Sequence, residues 1–475
     1  MARKLFGTDG VRGVAGELLS AELALALARA ATHGAGVRRA QVLIVRDTRE
    51  SGEMLQAAVA AGVSAAGGDA LLGGVLPTPA APLLIARYGL HLGVVISASH
   101  NPYRDNGIKF FGADGYKLSD ELELAIEREL EAGGALGPGA EDAAGVPGGK
   151  LGVAGGAART GEIGRVRELR GAGEDYLREL HTRFRELRLE GVRVLLDCAN
   201  GATYQIAPEI FRRLGASVTV IGDAPDGRNI NAGCGSTHVH ELAARMRAGE
   251  HDVGFAFDGD GDRVLAVDRL GEVVDGDELI ALAALHLRER GLLRGGGVAV
   301  TVMTNYGFHA AMEREGVAVA TTQVGDRQVL EELRARGWTF GGEQSGHIIE
   351  LGFNHTGDGI ASALLTLEAL GGGDLSRRDA MAKLPQRLVN VDVRDRDALA
   401  HARAVQEGVS AVERELAGRG RVLVRASGTE PLVRVMVEAP SEREAGELCE
   451  RLAALIEREL GREAAQAQRA ARQGR

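Results

Sequence analysis

The chain has 475 residues, of which 45% are hydrophobic and 26% are charged, and its formal net charge is −10. This acidic balance argues against nucleic acid or an anionic membrane surface as the main partner. No apolar run reaches the roughly 18 residues of a membrane span and no hydrophobic leader is visible, so we expect a cytoplasmic protein of about three or four domains.

The first predicted element is a glycine-rich turn, LFGTDGVRG, which carries Thr8, Asp9 and Arg12. Taken alone, this pattern is equally consistent with a polar hairpin and with part of a site. Strand-like runs and amphipathic helices then alternate, which is typical of α/β layers. The strands are predicted at residues 41–47, 91–97, 192–201, 251–260 and 296–303.

Aspartates end three of these strands, at Asp47, Asp197 and Asp258. Ligands of open α/β sheets bind at the carboxyl ends of strands, so these tips are candidate site positions. Cys198, Cys234 and Cys449 are few, odd in number and far apart, which predicts structural thiols in a reducing compartment rather than a disulfide framework.

The strand that ends near residue 96 runs into ISASHNPYRDNGIK. Ser99 follows the strand tip, where a nucleophile or phosphoryl acceptor would be exposed, and Ser97 would face the other way if the strand continues. His100 could orient a phosphate. Only five of the 56 Lys and Arg residues are lysines, and Lys109 is one of them; a lysine can act as acid or base, whereas an arginine cannot.

Residues 132–171 are rich in glycine and alanine and show no periodicity, so we predict a surface insertion or linker there. Next along the chain, the stretch FDGDGDR sets Asp258, Asp260 and Asp262 between glycines, after a strand. Three carboxylates with small spacers suit Mg²⁺ shared with a phosphate oxygen. A calcium EF-hand is excluded, because its sixth and twelfth positions hold Arg263 and Arg269 instead of Gly and Glu.

The stretch GGEQSGHI places Glu343, Ser345 and His347 on a tight loop that could bind sugar hydroxyls. It is not a serine-hydrolase elbow, because the residues before Ser345 do not fit G-x-S-x-G. A purely structural loop is the alternative.

Near residue 385 the pattern changes to that of a small α+β domain. It predicts a helix at 398–417, strands at 421–425 and 432–438, and a last helix opened by the capping-box pair Ser441 and Glu444; the tail after residue 460 is expected to fray. The stretch RASGTEPLVR could grip a phosphate through charge-assisted hydrogen bonds, or form an ordinary polar turn. Its candidate residues are Arg425, Ser427, Gly428, Thr429 and Arg434.

Taken together, ISASHNPYRDNGIKFFG, FDGDGDR, GGEQSGH and RASGTEP resemble, in this order, the motifs of the α-D-phosphohexomutases. The stretches FGTDGVRG, DCANGATY, NINAGCGSTH and TVMTNYGF are similar to the bacterial branch of the family that acts on glucosamine phosphates. The resemblance runs from about residue 3 to residue 460.

The resemblance implies an α/β fold with four domains around a central cleft. Three of them would be similar α/β mixed-sheet domains, and the fourth a smaller C-terminal α+β domain. The expected bounds are 1–172 with the phosphoserine loop, 173–272 with the metal-binding loop, 273–384 with the sugar-binding loop, 385–460 with the phosphate-binding loop, and a tail at 461–475.

The resemblance also implies a reaction, the interconversion of glucosamine 6-phosphate and glucosamine 1-phosphate through a phosphoserine enzyme and a 1,6-bisphosphate intermediate. The product would feed the synthesis of UDP-N-acetylglucosamine and cell-wall precursors. The implied cofactors are Mg²⁺ and, as activator, glucosamine 1,6-bisphosphate or glucose 1,6-bisphosphate. The implied partners are a hexosamine phosphate and a second copy in a homodimer.

Individual roles follow from the matching motifs. Ser99 is the expected phosphorylated residue and completes the metal site of Asp258, Asp260 and Asp262. Arg263 would face the phosphoserine. Lys109 is the expected general base, with His100 and Arg12 as other residues of proton transfer or phosphate positioning. The expected substrate-binding residues are Glu343, Ser345, His347, Arg425, Ser427, Gly428, Thr429 and Arg434.

Three alternatives stay open at this level. A phosphomannomutase or phosphoglucomutase of the same family would differ mainly in the sugar loop. A metal-dependent sugar phosphatase would need an activated water in place of Ser99. A silent phosphosugar-binding regulator could lack Ser99 or a carboxylate, yet every expected reactive residue is present.

Overall fold

The computed structural model describes residues 5–7, 9–132, 162–427 and 430–461. The chain divides into two compact units, Met1–Met303 with Ala318–Arg378, and Thr304–Val317 with Asp379–Arg475. Thr8, Gly428, Thr429, most of the predicted insertion and nearly all of the predicted tail lie outside the described residues. Within the described residues, no helix has the length and apolar composition needed to cross a membrane.

The first sheet of the first unit has six strands in the order β1-β5-β4-β2-β3-β6. Strand β4 is buried along its whole length, pairing parallel with β2 and antiparallel with β5. The strands are β1 (Val11–Val14), β2 (Gln41–Arg46), β3 (Asp69–Val75), β4 (Leu92–Ile96), β5 (Asp105–Gly112) and β6 (Val166–Glu168), and the helices are α1 (Ala21–Gly34), α2 (Ser51–Ala65), α3 (Ala80–Tyr88) and α4 (Asp120–Ala132).

Strand β6 lies near the end of the predicted surface insertion or linker at 132–171 and is an element that the sequence did not predict. Its backbone pairs parallel with β3. Its three residues are exposed. The pairing therefore comes from backbone hydrogen bonds at a sheet edge, and such a strand leaves no hydrophobic pattern in the sequence.

The second sheet has five strands in the order β11-β10-β9-β7-β8, with β9 parallel to β7 and antiparallel to β10. Strand β9 is apolar and buried throughout, and it leads directly into the aspartate-glycine stretch. The strands are β7 (Arg193–Asp197), β8 (Ser217–Ile221), β9 (Val253–Phe257), β10 (Val264–Asp268) and β11 (Val273–Val274), and the helices are α5 (Ala172–Arg183), α6 (Ile206–Arg213) and α7 (His240–Arg247).

The third sheet has four strands in the order β13-β12-β14-β15. Its tight β14–β15 turn carries the predicted sugar-binding residues. The strands are β12 (Gly297–Thr301), β13 (Ala318–Thr322), β14 (Phe340–Gly342) and β15 (Ile348–Glu350), the helices are α8 (Gly276–Glu289), α10 (Asp326–Arg336) and α11 (Gly359–Leu370), and two 3₁₀ turns lie at Arg294–Gly296 and Leu375–Arg377.

The second unit contains an antiparallel sheet in the order β16-β18-β17. Its elements are α9 (Tyr306–Arg314), β16 (Gln386–Asp392), a 3₁₀ turn at Asp397–His401, α12 (Arg403–Leu416), β17 (Arg421–Ala426), β18 (Leu432–Glu438) and α13 (Glu442–Leu460). The helix predicted from 398 begins at Arg403, because the preceding residues form the 3₁₀ turn. Ser441 caps α13 as predicted, accepting a hydrogen bond from the Glu444 N–H at 3.2 Å.

These sheets confirm the predicted fold class, namely mixed α/β sheets followed by a smaller α+β domain. All three cysteines are buried and unpaired, which agrees with structural roles. The predicted domain bounds stay predictions.

Candidate active site

The serine loop, residues 97–102, turns sharply after β4. The strand ends at Ile96 and does not continue through Ser97 and Ser99. The alternation of strand side chains, which would have placed Ser97 on a different side from its neighbours, therefore does not apply to Ser97. Ser97 Oγ donates to Asp47 Oδ2 at 2.6 Å and accepts from the Ser99 N–H at 2.9 Å. Ser99 has a φ of +51°, a left-handed conformation that non-glycine residues adopt rarely and often at functional sites.

Contrary to the expectation of an exposed nucleophile, Ser99 is only 1% exposed. The Ser99 hydroxyl donates to Asp258 Oδ2 at 2.5 Å, and His100 Nδ1 lies 3.4 Å from Ser99 Oγ. The serine is thus covered by the carboxylate that was predicted to share a metal ion with it.

Two residues that the sequence analysis did not identify hold the serine loop in place. Arg49 is fully buried, pairs with Asp47 at 2.8 Å, and donates to the carbonyls of Ser99 and Asn101 at 2.8 and 2.9 Å. Asn231 donates to the same two carbonyls at 2.9 and 3.1 Å. Asn231 lies in the stretch NINAGCGSTH and Arg49 follows β2, but nothing in their spacing shows that a distant backbone is their partner.

The carboxylate loop, residues 258–263, follows β9 and brings the three predicted metal ligands together. One oxygen from each of Asp258, Asp260 and Asp262 lies within 4.8 Å of the others, and all three residues are buried. Gly259 permits the approach to the serine loop, because a Cβ there would lie 2.6 Å from the Ser99 carbonyl oxygen. Thr78, a further residue not predicted, donates to Asp260 Oδ2 at 2.6 Å.

The electrostatics of the carboxylate loop fit a divalent cation. Burial, and then the charges of Asp262 and Asp260, raise the pKa of Asp258 well above its ordinary value. Among the described residues, Asp260 Oδ1 and Asp262 Oδ1 are buried with no hydrogen-bond partner. Buried anionic oxygens without donors are costly, so hard, oxygen-preferring Mg²⁺ matches this donor set.

Arg263 ends the carboxylate loop, and His100 directly follows Ser99 in the serine loop. The Arg263 backbone N–H donates to Asp258 Oδ1 at 3.1 Å, and its guanidinium Nε lies 3.9 Å from Asp262 Oδ1. Burial, followed by the charges of Arg263 and Arg12, lowers the pKa of His100. A neutral imidazole beside two cations suits an anion-binding pocket.

Lys109 lies on β5 and is almost completely buried. Its Nζ is 2.9 Å from Asp260 Oδ2, 3.0 Å from Asp9 Oδ2 and 3.8 Å from Asp262 Oδ2. Burial lowers the pKa of Lys109, but these three carboxylates outweigh it and raise the pKa above its ordinary value. In this arrangement the ammonium is therefore the favoured form.

Arg12 lies on β1 and pairs with Asp9 in the same N-terminal turn. Gly10 makes the turn possible, because its φ is +79° and a Cβ would lie 2.3 Å from the Ile108 carbonyl oxygen. Arg12 Nε is buried without a hydrogen-bond partner among the described residues. The turn is thus connected to Lys109 through Asp9, which favours a role in the site over a bare hairpin.

The sugar loop, residues 343–347, is the turn between β14 and β15. Glu343 is buried and its Oε1 accepts from the Gly325 N–H at 3.0 Å, whereas Ser345 is exposed at the tip. His347 is buried, with Nδ1 3.6 Å from Asp262 Oδ2 and Nε2 accepting from the Gly357 N–H at 3.0 Å. The structure thus brings His347 to the carboxylate loop, whereas the sequence had placed it only beside Glu343.

In the second unit, Arg425 and Arg434 lie directly opposite each other on β17 and β18, and we call them the arginine pair. Like charges at this position destabilise a sheet unless an anion compensates them; the Glu430 carboxylate lies 3.8 Å from Arg434 Nη2. Ser427 follows β17; its N–H donates to the Leu432 carbonyl at 2.9 Å and its Oγ accepts from the Glu430 N–H at 3.3 Å. The predicted partners Gly428 and Thr429 lie outside the described residues.

Family models for the four domains of phosphoglucomutase/phosphomannomutase match the chain in order. The alpha/beta/alpha domains I, II and III match residues 3–136, 174–271 and 275–388, and the C-terminal domain matches residues 388–455. A phosphoglucosamine mutase from Moorella thermoacetica is 51% identical over 449 residues, which is 93% of this chain and 96% of that protein.

Solved structures share the fold. A phosphoglucomutase/phosphomannomutase family protein from Burkholderia thailandensis has a TM-score of 0.74 at 20% identity, covering 95% of this chain and 97% of that one. An N-acetylphosphoglucosamine mutase from Aspergillus fumigatus, solved with GlcNAc-6P and magnesium, has a TM-score of 0.64 at 19% identity and covers 96% of each chain.

Proposed function

The chain belongs to the phosphoglucomutase/phosphomannomutase family, and from this premise we propose that it interconverts glucosamine 6-phosphate and glucosamine 1-phosphate. It is an isomerase of the phosphohexomutase type. The observation that carries the proposal is the 51% identity, over 93% of the chain, with a phosphoglucosamine mutase. The local chemistry agrees, because a serine hydroxyl contacts a cluster of three carboxylates.

The proposed reaction consists of two phosphoryl transfers, each of which moves a different phosphoryl group. In the first step the bond between phosphorus and Ser99 Oγ breaks while a bond to the free sugar hydroxyl forms, and the hydroxyl proton leaves. This step gives glucosamine 1,6-bisphosphate. In the second step the bond between the other phosphorus and its sugar oxygen breaks while a bond to Ser99 Oγ forms, and the released sugar oxygen takes up a proton. Positioning and charge stabilisation supply most of the catalysis in such transfers.

We assign Asp258, Asp260 and Asp262 as the residues that would hold Mg²⁺, together with an oxygen on Ser99. When bound, the ion would stabilise charge on the transferring phosphoryl group and weaken the hold of the carboxylates on the Lys109 ammonium. Lys109 is the proposed group that exchanges a proton with the sugar hydroxyl. Arg263 and His100 would contact the phosphoryl group beside Ser99.

Substrate binding is proposed for two sets of residues. Glu343 and Ser345 would bind the sugar hydroxyls, with His347 beside them. In the second unit, Arg425, Ser427 and Arg434 would bind the phosphate that is not being transferred; Gly428 and Thr429 stay sequence predictions. Two arginines opposite each other fit a doubly charged phosphate better than a neutral ligand.

Further parts of the proposal concern the setting of the reaction. The substrate would be a small hexosamine phosphate, with glucosamine 1,6-bisphosphate or glucose 1,6-bisphosphate as activator. Three unpaired cysteines favour action in the cytoplasm. A homodimer stays a prediction.

The test follows phosphorus NMR spectra of the purified protein with Mg²⁺, a trace of glucose 1,6-bisphosphate, and glucosamine 6-phosphate. Glucose 6-phosphate and mannose 6-phosphate are run in parallel. We expect a glucosamine 1-phosphate signal that grows faster than the products of the other sugars. Faster conversion of glucose or mannose 6-phosphate would move the assignment to another member of the family.

The Ser99→Ala variant is the control for the mechanism. We expect it to lose the mutase reaction by at least about a thousandfold, because the phosphoryl acceptor is absent. Release of inorganic phosphate alone, unchanged in this variant, would instead identify a metal-dependent phosphatase and overturn the role of Ser99.

A further inference from the structure

Six side chains of the first unit form a closed ring. In this ring three aspartate carboxylates alternate with two lysine amino groups and one histidine imidazole. Four of its members are predicted or assigned above, and Lys117 and Asp326 are new. Each neighbouring pair lies within 4.0 Å. In order around the ring, the members are Asp262, Lys109, Asp9, Lys117, Asp326 and His347.

Lys117 occupies the side of the ring opposite the carboxylate loop. Its Nζ lies 2.5 Å from Asp9 Oδ1 and 2.6 Å from Asp326 Oδ2, and its side chain is 12% exposed. The second oxygen of Asp9 contacts Lys109 at 3.0 Å. Asp9 is thus shared by the two lysines, one on each of its oxygens.

Each partner of Lys117 leads to a residue with a proposed role. Asp9 pairs with Arg12 and Lys109, which belong to the phosphoryl-transfer residues. Asp326 begins α10, and the N–H of the residue before it, Gly325, donates to Glu343 Oε1 at 3.0 Å. Lys117 therefore connects the residues around the transferred phosphoryl group to the carboxylate proposed to bind the sugar.

We propose that Lys117 is a positioning residue, which aligns Lys109 and Arg12 with Glu343 by binding Asp9 and Asp326 at once. The inference rests on the proposed function, since it assumes that these residues serve one reaction. Without the Lys117 ammonium, two largely buried carboxylates would face each other with no cation between them. A displacement of about 1 Å in a reacting group can lower a rate by about a hundredfold.

The competing interpretation is that Lys117 only adds a structural ion pair. The chain offers a matched control in the next residue after Asp326. The Arg327 guanidinium also links α10 to the region of α4, binding Glu123 at 3.0 Å, and its side chain has the same 12% exposure. It contacts no member of the ring by hydrogen bond or ion pair in the described part of the chain.

The experiment compares Lys117→Met with Arg327→Met in the full-length protein. Thermal unfolding, kcat, KM and the calorimetric affinity for glucosamine 6-phosphate are measured for each. We expect similar losses of thermal stability in the two variants. For Lys117→Met we also expect kcat to fall by at least tenfold and the affinity for the sugar phosphate to fall severalfold, while Arg327→Met stays within about twofold of wild type in both. Equal kinetic losses in the two variants would overturn the proposal.

If Lys117→Met does not fold, the double variant Lys117→Met/Asp326→Asn removes the uncompensated charge and serves in its place. Lys117→Arg is the rescue, because it keeps the cation. We expect the double variant to lose activity as above and Lys117→Arg to recover part of it. A fully active double variant would overturn the proposal. Wild-type protein without mutase activity would instead overturn the proposed function, so the two failures are distinguishable.

Discussion

The serine loop and the arginine pair are both assigned to phosphate, yet they are built differently. The serine loop is held by side chains that are distant in sequence: Arg49, Asn231 and, through Ser99 Oγ, Asp258. The arginine pair has mainly local support, because it is set by the register of two neighbouring strands and Ser427 bonds to Glu430 and Leu432. One contact from further along the chain adds to this, since Arg396 donates to the Ser427 carbonyl at 3.0 Å.

This difference has a chemical meaning. A group that is attacked in line must be fixed closely, so a rigid, buried setting suits the residue that carries the phosphoryl group. A phosphate that is only bound, and that must be accepted at either end of the sugar, needs charge more than fixed geometry. We therefore expect substitutions at the serine loop to damage stability and those at the arginine pair to damage substrate affinity.

The largest effect is expected for Arg49→Met, which breaks the support of the serine loop. Asp47 would keep a buried charge without its partner, and four backbone carbonyls would lose a donor. Breaking a buried ion pair costs about 3–5 kcal/mol. We expect the unfolding temperature of the first unit to fall markedly in calorimetry, with loss of activity.

Arg193→Met is the surface control in the same unit. Arg193 pairs with Asp252 at 2.8 Å, with side chains 51% and 43% exposed. Removing such an exposed pair changes stability little, because solvent screens the two charges. Equal thermal shifts in Arg49→Met and Arg193→Met would contradict the claim that the serine loop is built on Arg49.

The same two regions show what sequence alone could predict. Ser99, Asp258, Asp260 and Asp262 could be located because they follow the carboxyl ends of buried strands, β4 for Ser99 and β9 for the aspartates, and because glycines separate the aspartates. The arginine pair could be located because it lies in a short local motif. Strand β6 was not predicted and the start of α12 was predicted too early, since an exposed edge strand and a 3₁₀ turn carry little hydrophobic signal.

The supporting residues were missed for a different reason. Arg49, Asn231, Thr78 and Asp326 act on groups far away in sequence, and no local pattern identifies such partners. Lys117 could have been found, because it is one of only five lysines and the rarity that drew attention to Lys109 applies equally to it. The burial of Ser99 was not predicted, because it depends on contact with the carboxylate loop.

A smaller effect is expected for Arg425→Met in the arginine pair. One charge-assisted contact to phosphate is lost, worth about 1.5–3 kcal/mol, so KM should rise about 10- to 100-fold with a lesser change in kcat. Thermal stability should stay the same or rise slightly, because the repulsion from Arg434 is removed. Steady-state kinetics and calorimetry check both parts. A large fall in kcat at unchanged KM would contradict simple phosphate binding.

The smallest effect concerns a buried carboxyl in the first unit, Asp358, and it appears as a pH dependence. Asp358 caps α11, accepts from Tyr176 Oη at 3.0 Å, and burial raises its pKa to about 6. The folded state thus binds this proton more tightly than the unfolded state, whose pKa is near 3.9. The stabilisation is fully present below that unfolded value and is lost as the pH rises through about 6.

From pH 5 to pH 8 this loss is on the order of 1 kcal/mol. Asp358→Asn is the matched variant, because asparagine also caps helices well and carries no ionisable group. Thermal unfolding of both proteins at the two pH values isolates Asp358 from the histidines, which titrate in both. We expect the wild type to lose more stability than the variant between pH 5 and pH 8. An equal loss of stability in the two proteins would mean that Asp358 is already ionised at pH 5. The buried hydrogen bonds around Asp358 would then be sufficient to stabilise a carboxylate without a neighbouring cation.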